Sequence, residues 1–170
     1  RDGESAEKVV RLPASFEAHE GPGFDGVGWY RKVIAPRRVP EGCRVLLHFQ
    51  AAATEARVTA NGADLGTHLG GWTPFRFDLT EAARKAGPDH PVEIRVRLDE
   101  LVGHNSQGFL PIIAPHFGGI WQGVKLIIVP ETYIDDLRLM AIGNPRTGRL
   151  EIEVPLEGKG AKAVESLTVR

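Results

Sequence analysis

The chain has 170 residues, 42% hydrophobic and 25% charged, with a formal net charge of −1. That length holds one domain, or one domain and part of another, and can bury a core without covalent staples. The charge balance carries no basic footprint for nucleic acid or an anionic membrane, and no apolar window is long enough to span a bilayer. Cys43 is the only cysteine, so no internal disulfide forms, and one thiol does not report the redox compartment. Arg1 stands where Met would start a primary product, and no signal-peptide pattern follows it. The start reads as processed or excised, and the compartment is not legible.

The first eight residues are polar and read as a frayed end. Val9 to Phe16 reads as a first strand broken at Pro13. Gly21-Pro22-Gly23-Phe24-Asp25-Gly26 matches the spacing of a dinucleotide fingerprint, but the fingerprint needs a helix after it. Here Gly28 to Ile34 is aromatic and β-branched, so the glycines read as a plain loop before a strand. Val45, Leu47 and Phe49 alternate with Leu46 and His48, the period of a half-buried strand. Ala51 to Ala56 is a small-residue connector. Asn61-Gly62 lies between two strand-compatible runs and spells a type I′ hairpin, because both turn positions need positive φ. A Gly70-Gly71 loop follows, then Phe75, Phe77 and Leu79 alternate with Arg76 and Asp78.

Thr80 to Gly87 is the best helix, with Thr80 as cap and Gly87 as stop. Asp78 is expected to bond the backbone at its start. Val92, Ile94, Val96 and Leu98 alternate with Glu93, Arg95 and Arg97 in the cleanest strand of the chain. From Asp99 to Phe117 no period survives, and loops of that length are often functional. Gly123 to Val129 resumes as a strand with Val124, Leu126 and Ile128 on one face. Pro130 marks a boundary. Ile134 to Leu139, Leu150 to Leu156 and Val164 to Val169 read as three further strands, too few for a second closed sandwich.

Three motifs in order carry a family resemblance: Gly28-Trp29-Tyr30-Arg31; the run from Asn61-Gly62 through Gly66, His68 and Gly70-Gly71-Trp72-Thr73-Pro74-Phe75 to Phe77-Asp78-Leu79-Thr80; and Gly118-Gly119-Ile120-Trp121 with Val124 and Leu126. Together they resemble the sugar-binding domain at the N-terminus of glycoside hydrolase family 2 enzymes, which include β-galactosidases, β-glucuronidases and β-mannosidases. The resemblance implies an all-β fold: a galactose-binding-like jelly-roll sandwich over residues 1–130, then the first part of an immunoglobulin-like sandwich over residues 131–170. It implies a parent that hydrolyses β-glycosides with retention, and no cofactor.

Such chemistry needs two carboxyl groups about 5 to 10 Å apart. In the resembling family both come from a downstream (β/α)₈ barrel, which takes about 250 residues. Within this chain Asp99-Glu100 and Asp135-Asp136 are sequence neighbours. Neighbours on a strand face opposite ways, so both pairs read as exposed or capping carboxylates. No two of the six histidines are spaced to share a helical turn, and no metal is expected. His68 reads as a partner for loop backbone. No catalytic residue is assigned.

In family 2 enzymes the loop before Gly-Gly-Ile-Trp reaches the barrel's active site, and its counterpart here is rich in polar and aromatic side chains. Asp99, Asn105 and His116 are the substrate-contact candidates that the resemblance implies. Trp29, Tyr30, Trp72 and Trp121 read as core or inter-domain packing before sugar stacking. The partners implied are a carbohydrate, met through the parent active site, and the catalytic barrel; homo-oligomerisation stays open. Two other readings stand beside this accessory role: a free-standing carbohydrate-binding module, and an interaction sandwich without sugar.

Overall fold

The computed structural model describes residues 7–35, 38–87, 90–101 and 118–163. Two antiparallel sheets pack face to face. The first has four strands, β1 (Val27–Ile34), β6 (Val92–Asp99), β3 (Glu55–Ala60) and β4 (Ala63–Leu69), side by side in that order. The second has three, β5 (Phe75–Asp78), β2 (Cys43–Phe49) and β7 (Val124–Pro130). The expected all-β sandwich is the observed fold.

Period-two patterning builds the core. Ala56, Val58 and Ala60 of β3, with Val92, Ile94, Val96 and Leu98 of β6, face Val45, Leu47 and Phe49 of β2 and Phe75 of β5. Phe49 stacks on Phe75 with ring centroids 4.8 Å apart. The β3–β4 hairpin turns at Asn61 (φ 48°) and Gly62 (φ 79°), the two positive values that this turn requires. The Asn61 side chain also accepts the Glu93 N–H, tying the turn to β6.

Helix α2 (Thr80–Lys85) forms where expected, but its ends differ. Leu79 is the N-cap and Ala86 the C-cap, in place of Thr80 and Gly87. The Thr80 hydroxyl is buried and accepts the Val45 N–H, so it links helix to sheet rather than capping. Asp78 takes the capping role instead, accepting the Thr80 N–H at 2.8 Å.

Two other expectations are corrected. Residues 9–16 do not form a strand: Pro13 interrupts the run, and only Ala14 and Phe16 donate backbone hydrogen bonds, to Ile120 and Gly118. A one-turn helix, α1 (Glu17–Glu20), follows. The strand expected over 134–139 is a turn flanked by β8 (Thr132–Ile134) and β9 (Met140–Asn144). Asp135 makes that turn, its side chain accepting the Leu137 N–H and its carbonyl the Arg138 N–H. The strand expected over 123–129 forms, and Val124, Leu126 and Ile128 share a face as expected, in register with the buried Val45, Leu47 and Phe49 and 38–56% exposed. Among the described residues β7 is an edge strand, and no opposing strand covers them.

Beyond Pro130, β8 pairs with β11 (Leu156–Gly158), and β9 pairs with β10 (Arg149–Glu153) in an exposed hairpin. The segment expected as a strand over 164–169 lies outside the described residues. The chain after β7 turns back on the outer face of the three-stranded sheet. Arg76, paired with His48 across the β2–β5 register, donates to His48 Nδ1 at 3.1 Å and to Asp136 at 2.6 Å, with Asp135 at 3.6 Å. Leu46 and His48 are buried on a face that simple alternation leaves to solvent.

Candidate functional site

One end of the sandwich gathers the connections that carry the sequence candidates. Strands β2, β4 and β6 finish there and β1, β3, β5 and β7 begin there, so residues 24–26, 50–54, 70–74, 99–101 and 118–123 converge. Backbone hydrogen bonds brace them: Ala53 exchanges two with Gly119, Gly70 donates to Thr54, Thr54 to Asp99, and Gln50 to Gly123. The Trp121 indole donates to the Gly71 carbonyl at 2.9 Å and meets the half-exposed Trp72 edge-on at 5.2 Å. The structure thus places Trp121 and the Gly70-Gly71-Trp72 turn beside both ends of the long loop.

Asp99 closes β6 on the outer face of its sheet. Its carboxylate accepts from Arg97 at 3.0 Å and from the Leu101 N–H at 3.1 Å. It therefore fixes the direction in which the chain leaves the strand. Asn105 and His116 lie outside the described residues. His68 faces inward and stacks on Phe75 at 4.0 Å. Burial holds its imidazole below the usual range, opposed by a hydrogen bond with the Gly70 backbone. Its Nε2 lies 3.4 Å from the Thr73 hydroxyl, so it braces the 70–74 loop.

Of the two packing roles expected for Trp29, the core is excluded. Its side chain projects from the outer face of β1 and is 65% exposed, whereas Tyr30 turns inward and stacks on Phe16 at 5.6 Å. The carboxylate expectation is corrected too. Glu100, read as exposed or capping, is fully buried. It is the next inward position after Leu98, so the signal was present in the alternation itself. One oxygen accepts the Gly26 N–H at 2.6 Å, and the other has no partner among the described residues. Burial pushes its carboxyl up to about 7; the Gly26 hydrogen bond opposes this, and Glu17, Asp25 and Asp99 reinforce it. Tyr30 shares this pocket and burial lifts its phenol to about 12. Asp135 and Asp136 are spent on Arg76 and Arg138, so neither sequence-neighbour pair forms a catalytic dyad.

Gly118 lies against this buried acid, and Gly119 against the backbone of Ala14 and Phe16. A Cβ at Gly118 would come within 2.6 Å of Glu100 Cβ; one at Gly119 would lie 2.9 Å from the Phe16 nitrogen and 3.0 Å from the Ala14 carbonyl. Gly119 also has φ 109°. Gly119→Ala is expected to lower stability by about 2 kcal/mol or more, from backbone strain and overpacking together. Urea unfolding checks this, and an unchanged midpoint refutes it. Among the described residues no three His, Cys, Asp or Glu side chains group to hold a metal ion, and no helix is long and apolar enough to cross a membrane.

No family model matches the chain. It is 34% identical over 139 residues to a β-galactosidase of Thermoanaerobacter pseudethanolicus, covering 79% of this chain and 19% of that one. It is 27% identical over 154 residues to a β-glucuronidase of Bacteroides fragilis, covering 85% and 21%. Its fold superposes on an FMN-binding β-glucuronidase from Facaelibacterium prausnitzii L2-6 with a TM-score of 0.65 at 27% identity, over 91% of this chain and 25% of that one. The chain belongs with the family 2 glycoside hydrolases. It spans about a fifth of the length of these hydrolases. Its sequence motifs and its sandwich are those of a domain of such an enzyme.

Proposed function

We propose that residues 1–130 are a non-catalytic accessory domain of a family 2 β-glycosidase, and that residues 131–170 begin its immunoglobulin-like domain. The domain supports the active site of a separate catalytic barrel. The observation that carries this reading is the asymmetry of coverage: the similarity takes in most of this chain but only 19–21% of the galactosidase and glucuronidase that match it. The geometry supports it as well. The end of the sandwich that gathers Asp99, Trp121 and the roots of the 102–117 segment is braced by backbone hydrogen bonds, as a rim that orients a loop must be. Asp99, Asn105 and His116 are the residues proposed to reach the substrate, a β-glucuronide or β-galactoside of the kind that the relatives' names indicate. Of the acids at the sequence-neighbour pairs, Glu100 is buried singly and Asp99, Asp135 and Asp136 are held in ion pairs, so this domain contributes positioning rather than proton transfer.

The test compares two proteins. The 170-residue protein is expected to release no p-nitrophenol from aryl β-glucuronides or β-galactosides, and the full-length parent to release it readily. In the parent, Asp99→Ala is expected to lower kcat/KM about tenfold, close to 1.4 kcal/mol of transition-state stabilisation. Turnover by the 170-residue protein would refute the accessory role.

A further inference from the structure

We infer that the outer face of β1, with Val27, Trp29 and Leu101, is the surface by which this sandwich seats against the catalytic domain of its parent chain. The inference rests on the accessory-domain reading above and names the contact through which it operates.

Strand β1 is eight residues long and, among the described residues, is hydrogen-bonded on one side only. Gly28 and Tyr30 face the core, so Val27 and Trp29 face outward. Trp29 is 65% exposed, Leu101 48% and Val27 40%. Val27 stands opposite Asp99, and the Glu100 N–H donates to Gly26, which brings Leu101 beside the start of β1. These three exposed side chains lie near the end of the sandwich where β1 begins and β6 ends. A long edge strand that displays tryptophan is a site for association, and buried tryptophans dominate the energetics of interfaces.

The charges around the group are already matched. Arg97 pairs with Asp99 and lies 3.7 Å from Glu55; Arg31 pairs with Glu7 and Glu93; Arg95 pairs with Glu93. An apolar centre with a self-neutralised polar rim suits a protein surface of ordinary composition rather than an anionic ligand. The opposite outer face, on the three-stranded sheet, is already taken by Arg76 pairing with Asp135 and Asp136. The hydrolases related to this chain are four to five times as long as the stretch it matches, so the polypeptide needed to cover β1 exists in such proteins. The patch is also continuous with Asp99 and the root of the 102–117 segment.

Hydroxyl-radical footprinting read by mass spectrometry tests this without any substitution. The oxidation rate of Trp29 is measured in the 170-residue protein, in the full-length parent and in the urea-unfolded parent. Trp29 is expected to oxidise about tenfold more slowly in the folded parent than in the 170-residue protein, as for an exposed side chain moved to the core of an interface. If the parent hydrolyses β-glycosides and Trp29 reacts equally fast in both folded proteins, the surface assignment falls and the accessory reading stands. If Trp29 is protected in a parent that hydrolyses no glycoside, the accessory reading falls and the named partner with it.

Discussion

Phe49→Ala is expected to lower the stability of the sandwich by about 3 to 5 kcal/mol, the usual result of emptying a large aromatic site in a close-packed core. Phe49 is 1% exposed and ends the central strand of the three-stranded sheet. Its ring stacks on Phe75, which stacks in turn on His68. The cavity would open directly beneath the braced end of the sandwich, between the 50–54 and 70–74 connections. Urea denaturation followed by circular dichroism measures the loss, and a loss under about 1 kcal/mol would show that neighbouring side chains collapse into the site. The damage is expected to reach the Trp72–Trp121 contact, visible as a change in tryptophan emission before global unfolding.

Glu100→Gln is expected to flatten the pH dependence of stability. In the folded protein the Glu100 carboxyl holds its proton up to about pH 7, against an ordinary value of 4.5. The folded state therefore binds the proton more tightly than the unfolded chain. Its contribution is complete at low pH and is lost as pH rises through about 7, by up to roughly 3 kcal/mol. His48 works in the opposite sense. Burial and the neighbouring Arg76 and Lys125 hold its imidazole below the usual range, so its contribution is present at high pH and lost on acidification. Comparing urea midpoints of Glu100→Gln and the unchanged protein at about pH 5 and pH 8 isolates the Glu100 part, since His48 is common to both. Glutamine keeps an acceptor for the Gly26 N–H and cannot ionise. Parallel pH profiles for the two proteins would refute the assignment.

Much of this architecture was legible in residue order, for local reasons. Asn61-Gly62 declared the hairpin because few other pairs accept two successive positive φ values. The alternation from Val92 to Leu98 declared both the strand and its buried face. Carried one step further, the same alternation places Glu100 among core residues; the charge of its side chain obscured that reading. What failed depended on contacts distant in sequence. Leu46 and His48 look like solvent-facing positions but are buried, and at His48 the neighbouring Arg76 is itself held by Asp135 and Asp136 of the returning chain. The shared face of Val124, Leu126 and Ile128 was read correctly, but its exposure was not legible, because β7 is an edge among the described strands and alternation cannot tell an edge from a centre. The strand expected over 134–139 failed because the Asp135 side chain captures the Leu137 N–H and its carbonyl the Arg138 N–H. Of the site candidates, Asp99 sits where a loop anchor should. Asn105 and His116 fall in the stretch where periodicity ended, and a loop without periodicity offers sequence reasoning nothing to count.

Arg76 has a mechanical consequence. Its guanidinium is 13% exposed and touches His48 on the sheet and Asp135 and Asp136 on the returning chain, while Asp135 holds Arg138, which pairs onward with Glu157 of β11. The relay makes the junction at Pro130 a pinned joint instead of a swivel. A torque applied to the β8–β11 pair is delivered to the centre of the three-stranded sheet, and replacing that single side chain by alanine would turn a rigid elbow into a tether.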